Sequence, residues 1–130
     1  MRKSISFRSF VVGAGLVLAA LAAAAGEVPF KAAAFDAALA QGKPVIVDFA
    51  ADWCPTCKAQ KPIVRSLLSD PKRAPLTLFV ADYDTETALK KRLGVTMQST
   101  FVVFKDGKEV GRSTGQTQKQ AIAELFDKAL

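Results

Sequence analysis

The two cysteines of this 130-residue chain, Cys54 and Cys57, are separated by two residues and come shortly after a short apolar segment. That segment, 45–50, reads Val-Ile-Val-Asp-Phe-Ala and is typical of a central parallel strand that is covered on both faces. A helix is predicted to begin at Cys54, because Pro55 then falls in its first turn, where the missing N–H of proline costs little. This strand-to-helix junction constrains the fold more than any other feature of the sequence.

The same junction predicts thiol–disulfide exchange. Backbone N–H groups and the dipole at a helix N-terminus stabilise a thiolate at Cys54, which depresses its pKa and makes it a nucleophile. Cys57, one helical turn further on, can attack the resulting mixed disulfide and release the partner. We therefore expect both sulfurs at the helix N-terminus, with that of Cys54 open to water.

Other uses of the cysteine pair are less favoured. A structural zinc site needs four ligands, and the chain has no other cysteine and no histidine, so no metal ligands are assigned. A purely structural disulfide would close so short a loop that it would remove little entropy from the unfolded chain. Redox chemistry without a separate cofactor remains the favoured interpretation.

The start of the chain is typical of a signal peptide, predicted over 1–25. A basic beginning precedes an uncharged segment of 16 residues, 10–25, rich in Val, Leu and Ala, and the alanines at 23–25 satisfy the small-x-small cleavage rule. The mature domain is expected to be 26–130. The uncharged segment is short for a membrane span of about 20 residues, so a retained N-terminal anchor is the alternative. Export would place the cysteines in an oxidising compartment, the periplasm.

The charge of the chain gives no support to nucleic-acid binding. The formal net charge is +6, but three of the basic residues lie within 1–25, so the remaining chain is only mildly basic. The sequence has no phosphate-binding glycine loop and no RNA-binding motif. We expect a single domain without a nucleic-acid partner, and a monomer.

The hydrophobic pattern predicts the order helix, strand, helix, strand, helix, strand, strand, helix. The predicted helices are 30–40, 54–68, 85–93 and 117–130, and the predicted strands are 45–50, 76–81, 100–104 and 109–112. The first two strands must be parallel, and Asp106-Gly107 is a strong hairpin signal between the last two. The sequence thus predicts an α/β fold with a mixed four-stranded sheet and helices on both faces.

Helix ends and helix faces follow from the same pattern. Asp84 or Thr85 is expected to cap the third helix, and Thr117 with Gln120 matches a capping box for the fourth. The face of the fourth helix expected to be buried consists of Ile122, Leu125, Phe126 and Ala129. That of the first consists of Phe30, Ala34, Ala38 and Leu39.

From 30 to 130 the chain resembles the thioredoxin superfamily. The resemblance is carried by Val47-Asp48-Phe49, Ala51-Asp52-Trp53-Cys54-Pro55-Thr56-Cys57-Lys58, Pro62, Phe104-Lys105-Asp106-Gly107 and Gly115. The pattern 51–58 is especially similar to the C-terminal periplasmic domain of the transmembrane disulfide reductase DsbD. Periplasmic thioredoxin-like proteins of cytochrome c maturation are also similar. The resemblance implies that Cys54 is the exposed attacking thiol and Cys57 the resolving thiol.

Asp48 is predicted to be a catalytic carboxylate. An acid within an apolar central strand costs free energy unless it has a role, and the resemblance implies a buried carboxylate behind the disulfide. Burial should raise its pKa toward neutral, so that it can exchange a proton with Cys57. The alternative is that Asp48 reaches solvent near the end of its strand. Thioredoxins often place a lysine near this acid on the next strand, and the matching position here is Val80.

The expected substrate-binding residues are Trp53, Pro55, Thr56, Gln98 and Ser99. Trp53 is expected to shield one side of the Cys54 sulfur and to offer an apolar contact to partners, the alternative being plain packing. Family members carry a cis-proline at the position of Ser99. We therefore expect either a trans loop of altered shape or a strained cis bond. The change could alter substrate binding, place a hydroxyl beside the thiolate, open Cys54 to a metal shared between two molecules, or be a tolerated variant.

The sequence as a whole predicts an exported thiol–disulfide oxidoreductase that mainly reduces partner-protein disulfides. A dithiol that acts as a reductant in an oxidising compartment needs an electron supply, so a membrane electron donor of the DsbD/CcdA type is expected. The first alternative is an oxidase or isomerase. The second is a non-enzymatic module that binds Cu(I), or a cluster between two copies, since soft thiolates suit such metals.

Overall fold

The computed structural model describes residues 26–130, which form five strands and four α-helices. The strands are β1 (Gly26–Pro29), β2 (Val45–Ala50), β3 (Thr77–Asp82), β4 (Thr100–Lys105) and β5 (Lys108–Thr114). The helices are α1 (Ala32–Ala40), α2 (Pro55–Leu68), α3 (Thr87–Leu93) and α4 (Lys119–Asp127), with a short 3-10 helix at Pro71–Arg73. The predicted signal peptide, 1–25, lies outside the described residues.

The strands form one mixed sheet in the order β1-β3-β2-β4-β5. β1 and β2 both run parallel to β3, whereas β4 is antiparallel to β2 and β5 to β4. The predicted α/β class is confirmed, but the predicted number of four strands is wrong. β1 was missed because Gly26 to Pro29 is short and lacks alternation, and it is a strand only through its pairing with β3.

Two hydrophobic clusters cover opposite faces of the sheet, because successive side chains of a strand point to opposite sides. α2 and α4 cover the face that includes Ile46 of β2, and α1 and α3 cover the face that includes Val45, Val47 and Phe49. Asp48 alternates with Val47 and Phe49, so its side chain points to the face covered by α2. The helix that begins at the cysteines thus packs over the strand that carries the buried acid.

The buried face of α4 is as predicted, but its start is not. Ile122, Leu125, Phe126 and Ala129 are all buried. The helix begins at Lys119 with Gln118 as its N-cap and without a side-chain cap bond, so the Thr117 capping box is wrong. The side-chain oxygen of Gln116 accepts the N–H groups of Thr117 and Gln118 instead, and this turn delays the helix.

The buried face of α1 differs from the prediction by about one residue. Ala34 is exposed, whereas Phe35 is fully buried. The ring of Phe35 lies 5.8 Å from that of Phe79 and 5.5 Å from that of Phe104, both edge-on. An alanine-rich helix has little facial preference of its own, so the large aromatic side chain decides which side is buried.

Turn chemistry agrees with the sequence at the hairpin and disagrees at α3. Asp106 and Gly107 have φ of 52° and 77°, as a tight two-residue turn requires. α3 has Glu86 as its N-cap, with no side-chain cap bond, so neither Asp84 nor Thr85 caps it. Within residues 26–130, none of the helices has both the length and the apolar character needed to cross a membrane.

Candidate active site

Cys54 is the N-cap of α2. Its backbone is extended, with φ −89° and ψ 112°, and its sulfur accepts the backbone N–H of Cys57 at 3.1 Å. Pro55 occupies the first helical residue, where no N–H is needed. Both cysteines are free thiols. The predicted placement of the two sulfurs at a strand-to-helix junction is confirmed.

The predicted exposure of Cys54 is wrong. The residue is only 1% exposed, and Cys57 is 9% exposed. The two cysteines form a small cluster with Ala51, against which Tyr83 packs, separate from the two large clusters on the sheet faces. Cys54 is therefore buried by a few neighbouring residues rather than by the main core. A partner disulfide must displace some of these residues to reach the Cys54 sulfur.

Ser99 lies against both sulfurs. Its hydroxyl oxygen is 3.0 Å from the Cys54 sulfur and 3.1 Å from the Cys57 sulfur. Residues 26–130 contain no cis peptide bond, so of the two expected loop shapes the trans form is present. Ser99 has a φ of 59°, a left-handed conformation that non-glycine residues seldom adopt. Of the alternatives considered for Ser99, a hydroxyl beside the Cys54 thiol is therefore present.

Three hydrogen bonds hold the Ser99 backbone in this conformation. Its N–H donates to the carbonyl of Phe49 at 2.8 Å. Its own carbonyl accepts the N–H of Gly115 at 2.9 Å and the side-chain amide of Gln60 at 3.3 Å. Bonds on both sides of the residue fix a backbone that would otherwise relax.

Gln60 is a site residue that the sequence interpretation missed. It is 1% exposed, and its side-chain nitrogen also donates to the carbonyl of Gln116 at 2.9 Å. It ties α2 to the Ser99 loop. The signal was available, because Gln60 follows Cys57 by three residues and precedes Val64 by four, which places an amide on an otherwise apolar helix face.

The two thiols have opposite pKa shifts. Burial opposes ionisation of Cys54, but hydrogen bonds from Cys57, from Ser99 and from the N–H of Thr56 outweigh it and lower the Cys54 pKa. Burial and the bond to Cys54 raise the pKa of Cys57. Cys54 is thus the sulfur that ionises first, as expected of an attacking thiol.

Asp48 is buried and its carboxyl is uncompensated. It is 9% exposed, and Oδ1 has no hydrogen-bond partner among the described residues. Burial, assisted by the charge of Glu27, raises the pKa of Asp48 to about 7, and Lys61 opposes the rise. The predicted shift toward neutral is confirmed, and the alternative that Asp48 reaches solvent is wrong. Val80 is its partner on β3, as the sequence indicated.

An open cavity of about 460 Å³ gives solvent access to the side of the site on which Cys57 lies. Its lining includes Cys57 from α2 and Glu27 from β1, together with Lys61. Cys54 is not part of that lining. Cys57 therefore borders this cavity, whereas Asp48, like Cys54, does not line it.

The remaining predicted site residues lie around the cysteines with different exposure. Trp53 is 57% exposed, so it is not a plain packing residue, and its indole N–H donates to Asp84 at 2.8 Å. Pro55 is exposed, whereas Thr56 and Gln98 are half-buried. Met97, which the sequence interpretation did not single out, is 52% exposed next to Gln98.

The described part of the chain offers few side chains that could bind a metal ion. Between 26 and 130, no group of three or more His, Cys, Asp or Glu side chains is arranged to hold a metal ion. Within one copy, a site would have to rest on the two sulfurs alone, and the Ser99 hydroxyl already lies against both of them.

Comparisons with known proteins agree with this geometry. The family model for thioredoxin matches residues 27–128. The thioredoxin of Chlamydia muridarum is 36% identical over 84 residues, covering 65% of this chain and 80% of that protein. The H-type thioredoxin of Chlamydomonas reinhardtii is 39% identical over 90 residues, covering 66% and 79%. Both relatives are named as thioredoxins and not as the DsbD domain.

Solved structures give the same result. Trxlp from Edwardsiella tarda superposes with a TM-score of 0.76 at 38% identity, covering 78% of this chain and 98% of that one. Oxidised thioredoxin from Plasmodium falciparum gives 0.64 at 27% identity, covering 78% and 94%. With Cys54 and Cys57 at the start of α2, these matches show that the chain belongs to the thioredoxin family of thiol–disulfide oxidoreductases.

Proposed function

We propose that this oxidoreductase is an exported reductant of protein disulfides. The observation that carries the proposal is the Cys54 sulfur at the N-cap of α2, which accepts the Cys57 N–H at 3.1 Å. That bond and the helix N-terminus favour a thiolate at the attacking position. The reducing direction is supported by the residues between the cysteines, Pro55 and Thr56, because neither is a cation that would stabilise the reduced form further.

The first step of the proposed reaction is attack by the Cys54 thiolate on one sulfur of a partner disulfide. A bond forms between Cys54 and that sulfur, the partner disulfide bond breaks, and the second partner sulfur leaves as a thiolate that takes a proton from water. Because Cys54 is 1% exposed, the partner must first press aside the residues that cover it.

The second step regenerates the partner's other thiol. Cys57 gives its proton to the Asp48 carboxylate, and the Cys57 thiolate attacks the Cys54 sulfur. The enzyme disulfide forms as the bond from Cys54 to the partner breaks. Asp48 suits the role because its pKa of about 7 makes it a base near neutral pH. No direct hydrogen bond joins Asp48 to Cys57 in the described residues, so the proposed transfer requires a water molecule between them.

Two exposed apolar side chains support a protein rather than a small molecule as partner. Trp53 and Met97 are both more than half exposed and lie next to Cys54 and Gln98 in the chain. Large exposed apolar groups beside a reactive centre are typical of contact surfaces for other proteins. We assign Trp53, Met97, Pro55, Thr56 and Gln98 to this surface.

Export and electron supply complete the proposal. Residues 1–25 have the composition of a signal peptide, which would deliver the domain, as a monomer, to the periplasm. Oxidised enzyme there would be recharged by a membrane electron donor of the DsbD/CcdA type, in keeping with the similarity of 51–58 to the DsbD domain. Fractionation of the exporting cell, N-terminal sequencing and gel filtration of the purified protein test these three points.

Trapping with Cys57→Ser tests the function directly. This variant can form a mixed disulfide through Cys54 but cannot resolve it, so partner proteins should accumulate in covalent complexes that a thiol reductant dissolves. Cys54→Ser is the matched control and should trap nothing. Recovery of no partner with Cys57→Ser, or equal recovery with both variants, would contradict the proposal.

The reduction potential decides the direction of electron flow. A value near about −270 mV, as in thioredoxins, supports a reductant, whereas one near about −120 mV indicates an oxidant. A value near that of protein disulfide isomerase, about −180 mV, would favour isomerisation.

A further inference from the structure

We propose that the Ser99 hydroxyl is a catalytic group that donates a hydrogen bond to each of the two sulfurs in turn, whichever is the thiolate. This inference rests on the proposed oxidoreductase function and adds to it a residue with no counterpart in the two-cysteine, one-carboxylate scheme. It comes from the position of the hydroxyl oxygen, 3.0 Å from one sulfur and 3.1 Å from the other.

The donor capacity of a hydroxyl limits what it can do here. Serine has one O–H to donate and two lone pairs with which to accept. Between two sulfurs, Ser99 can therefore donate to only one at a time, and the charged sulfur is the stronger acceptor. This arrangement fits a pair of sulfurs that carries one proton and one negative charge, and it is buried, where such bonds are strongest.

Before attack, the charge belongs on Cys54. Its sulfur also accepts the N–H of Cys57, whereas the Cys57 sulfur lies a turn further into the helix. The Cys54 thiolate then accepts the Ser99 O–H, beside the bond that the Cys57 thiol donates to the same sulfur. Ser99 thereby stabilises the nucleophile.

After attack, the hydroxyl changes partner. The Cys54 sulfur is now bonded to the partner sulfur and carries no charge, so the Ser99 O–H turns by rotation about its C–O bond toward Cys57. It then stabilises the Cys57 thiolate that forms as the proton passes to Asp48. The hydroxyl proton itself stays on Ser99 throughout, so the balance of the two-step reaction is unchanged.

The backbone of Ser99 makes this placement specific rather than incidental. A left-handed φ of 59° is unfavourable for serine, and the bonds to Phe49, Gly115 and Gln60 are what hold it. Ser99 is 2% exposed, so its hydroxyl has no bulk water as an alternative partner. The loop thus holds the oxygen within hydrogen-bond distance of both sulfurs.

Two substitutions and one control test the proposal. Ser99→Ala removes only the hydroxyl, and Ser99→Gly removes it while relieving the left-handed backbone. Ser113→Ala is the control, because Ser113 on β5 has a buried hydroxyl without a hydrogen-bond partner in the described residues. Each purified protein is titrated by the ultraviolet absorbance of its thiolate, and its reduction potential is measured against glutathione.

We expect both Ser99 variants to shift the thiolate titration to higher pH. Hydrogen bonds to charged groups are strong enough that the reduced form should lose about tenfold in stability relative to the disulfide. That change corresponds to a potential about 30 mV more negative. Ser113→Ala should match the wild-type protein in both measurements.

The outcomes separate this proposal from the proposed function. If both Ser99 variants keep the wild-type titration and potential, the hydroxyl has no such role, whatever the activity of the enzyme. If Ser99→Ala shifts but Ser99→Gly does not, backbone strain is the cause and the proposal is overturned. If wild-type protein fails to reduce disulfides, the function fails, while the titrations still decide whether Ser99 stabilises the thiolate.

Discussion

Asp48 of β2 lies opposite Val80 of β3 in the parallel register, so no cation from the neighbouring strand faces the buried carboxyl. The cation that opposes its pKa rise, Lys61, comes from α2, and the anion that increases it, Glu27, comes from β1. Burial makes the largest contribution to the raised pKa of Asp48, and charges from two other elements adjust it.

Replacing Asp48 by Asn should stabilise the protein at high pH. The native carboxyl has a pKa of about 7 against 3.8 for the free group, so folding favours its protonated form. The wild-type protein therefore loses stability as pH rises from about 4 to about 7, by as much as about 4 kcal/mol. Asparagine does not ionise. Asp48→Asn should exceed wild type by up to that amount above pH 7 and equal it below about pH 4 in urea unfolding.

The exposed aspartate at position 52 gives a control for this experiment. Asp52→Asn changes the same charge near the same helix, but an exposed carboxylate keeps its hydration on folding. Its unfolding free energy should follow that of the wild type with pH. A difference between Asp48→Asn and wild type that does not vary with pH would contradict an ionisation cost at Asp48.

Glu27 and Lys61 should move the pKa of Asp48 in opposite directions. Removing the negative charge with Glu27→Gln lowers that pKa, and removing the positive charge with Lys61→Met raises it. Carboxyl carbon NMR of Asp48 across pH measures both shifts. Lys91→Met, at an exposed position on α3, should leave the titration in place. Shifts of the same sign for Glu27→Gln and Lys61→Met would show that the charges are not responsible.

The hydrogen bond from Trp53 to Asp84 should matter for binding and little for stability. It is exposed, so Asp84→Ala should lower the free energy of unfolding by less than about 1 kcal/mol. The freed indole loses its fixed orientation. We expect the KM for insulin disulfides to rise several-fold while the rate with a small aromatic disulfide is unchanged. Asp84→Asn keeps an acceptor oxygen and should restore the KM, and an equal loss with both disulfides would contradict a role in contacting proteins.

The ion pair between Arg73 and Asp127 should be a principal polar support of α4. Arg73 is 6% exposed, and its guanidinium donates to both carboxylate oxygens of Asp127, at 2.8 and 3.1 Å. Asp127→Asn removes the bidentate partner of a buried cation and leaves it only Asp70, at 3.3 Å, so the variant should cost up to about 3 kcal/mol. Lys72→Met, which removes an exposed partner of the same carboxylate, should cost less than about 1 kcal/mol.

The pH dependence of this pair has the opposite sign to that of Asp48. Burial opposes ionisation of Asp127, but the bonds from Arg73 and Lys72 outweigh it and lower the pKa. The stability that Asp127 supplies is present above its ordinary pKa of 3.8 and is lost as pH falls through the lower native value. The gap between wild type and Asp127→Asn should therefore narrow in acid. A gap that widens there would contradict the assignment.

Local signals were sufficient for the elements that form the site. β2 spans 45–50 as predicted, because a continuous apolar run bounded by Pro44 needs no tertiary information. α2 ends at Leu68 as predicted, and proline in its first turn marked the start within one residue. The positions of Cys54, Cys57 and the buried Asp48 could be predicted from the sequence because these residues lie on two neighbouring elements.

Features that depend on contacts between residues far apart in the sequence could not be predicted from local patterns. β1 forms only through its pairing with β3. Phe35 of α1 is buried because the rings of Phe79 and Phe104, on two strands of the sheet, pack against it. The direction of the Ser99 hydroxyl depends on three bonds, to residues between 16 and 50 positions away. The surroundings of the two cysteines likewise include Tyr83 and Ser99, which no local pattern places there.

This chain differs from family members that carry proline at the position of Ser99 in backbone conformation as well as in the side chain. Proline fixes φ near −65°, whereas Ser99 has 59°, and proline would remove the N–H that Phe49 accepts. Replacing Ser99 by proline is therefore incompatible with this backbone unless the conformation of the whole loop changes. Glycine tolerates both positive and negative φ, so a glycine intermediate would allow evolution or protein engineering to pass between the serine and proline forms of this loop.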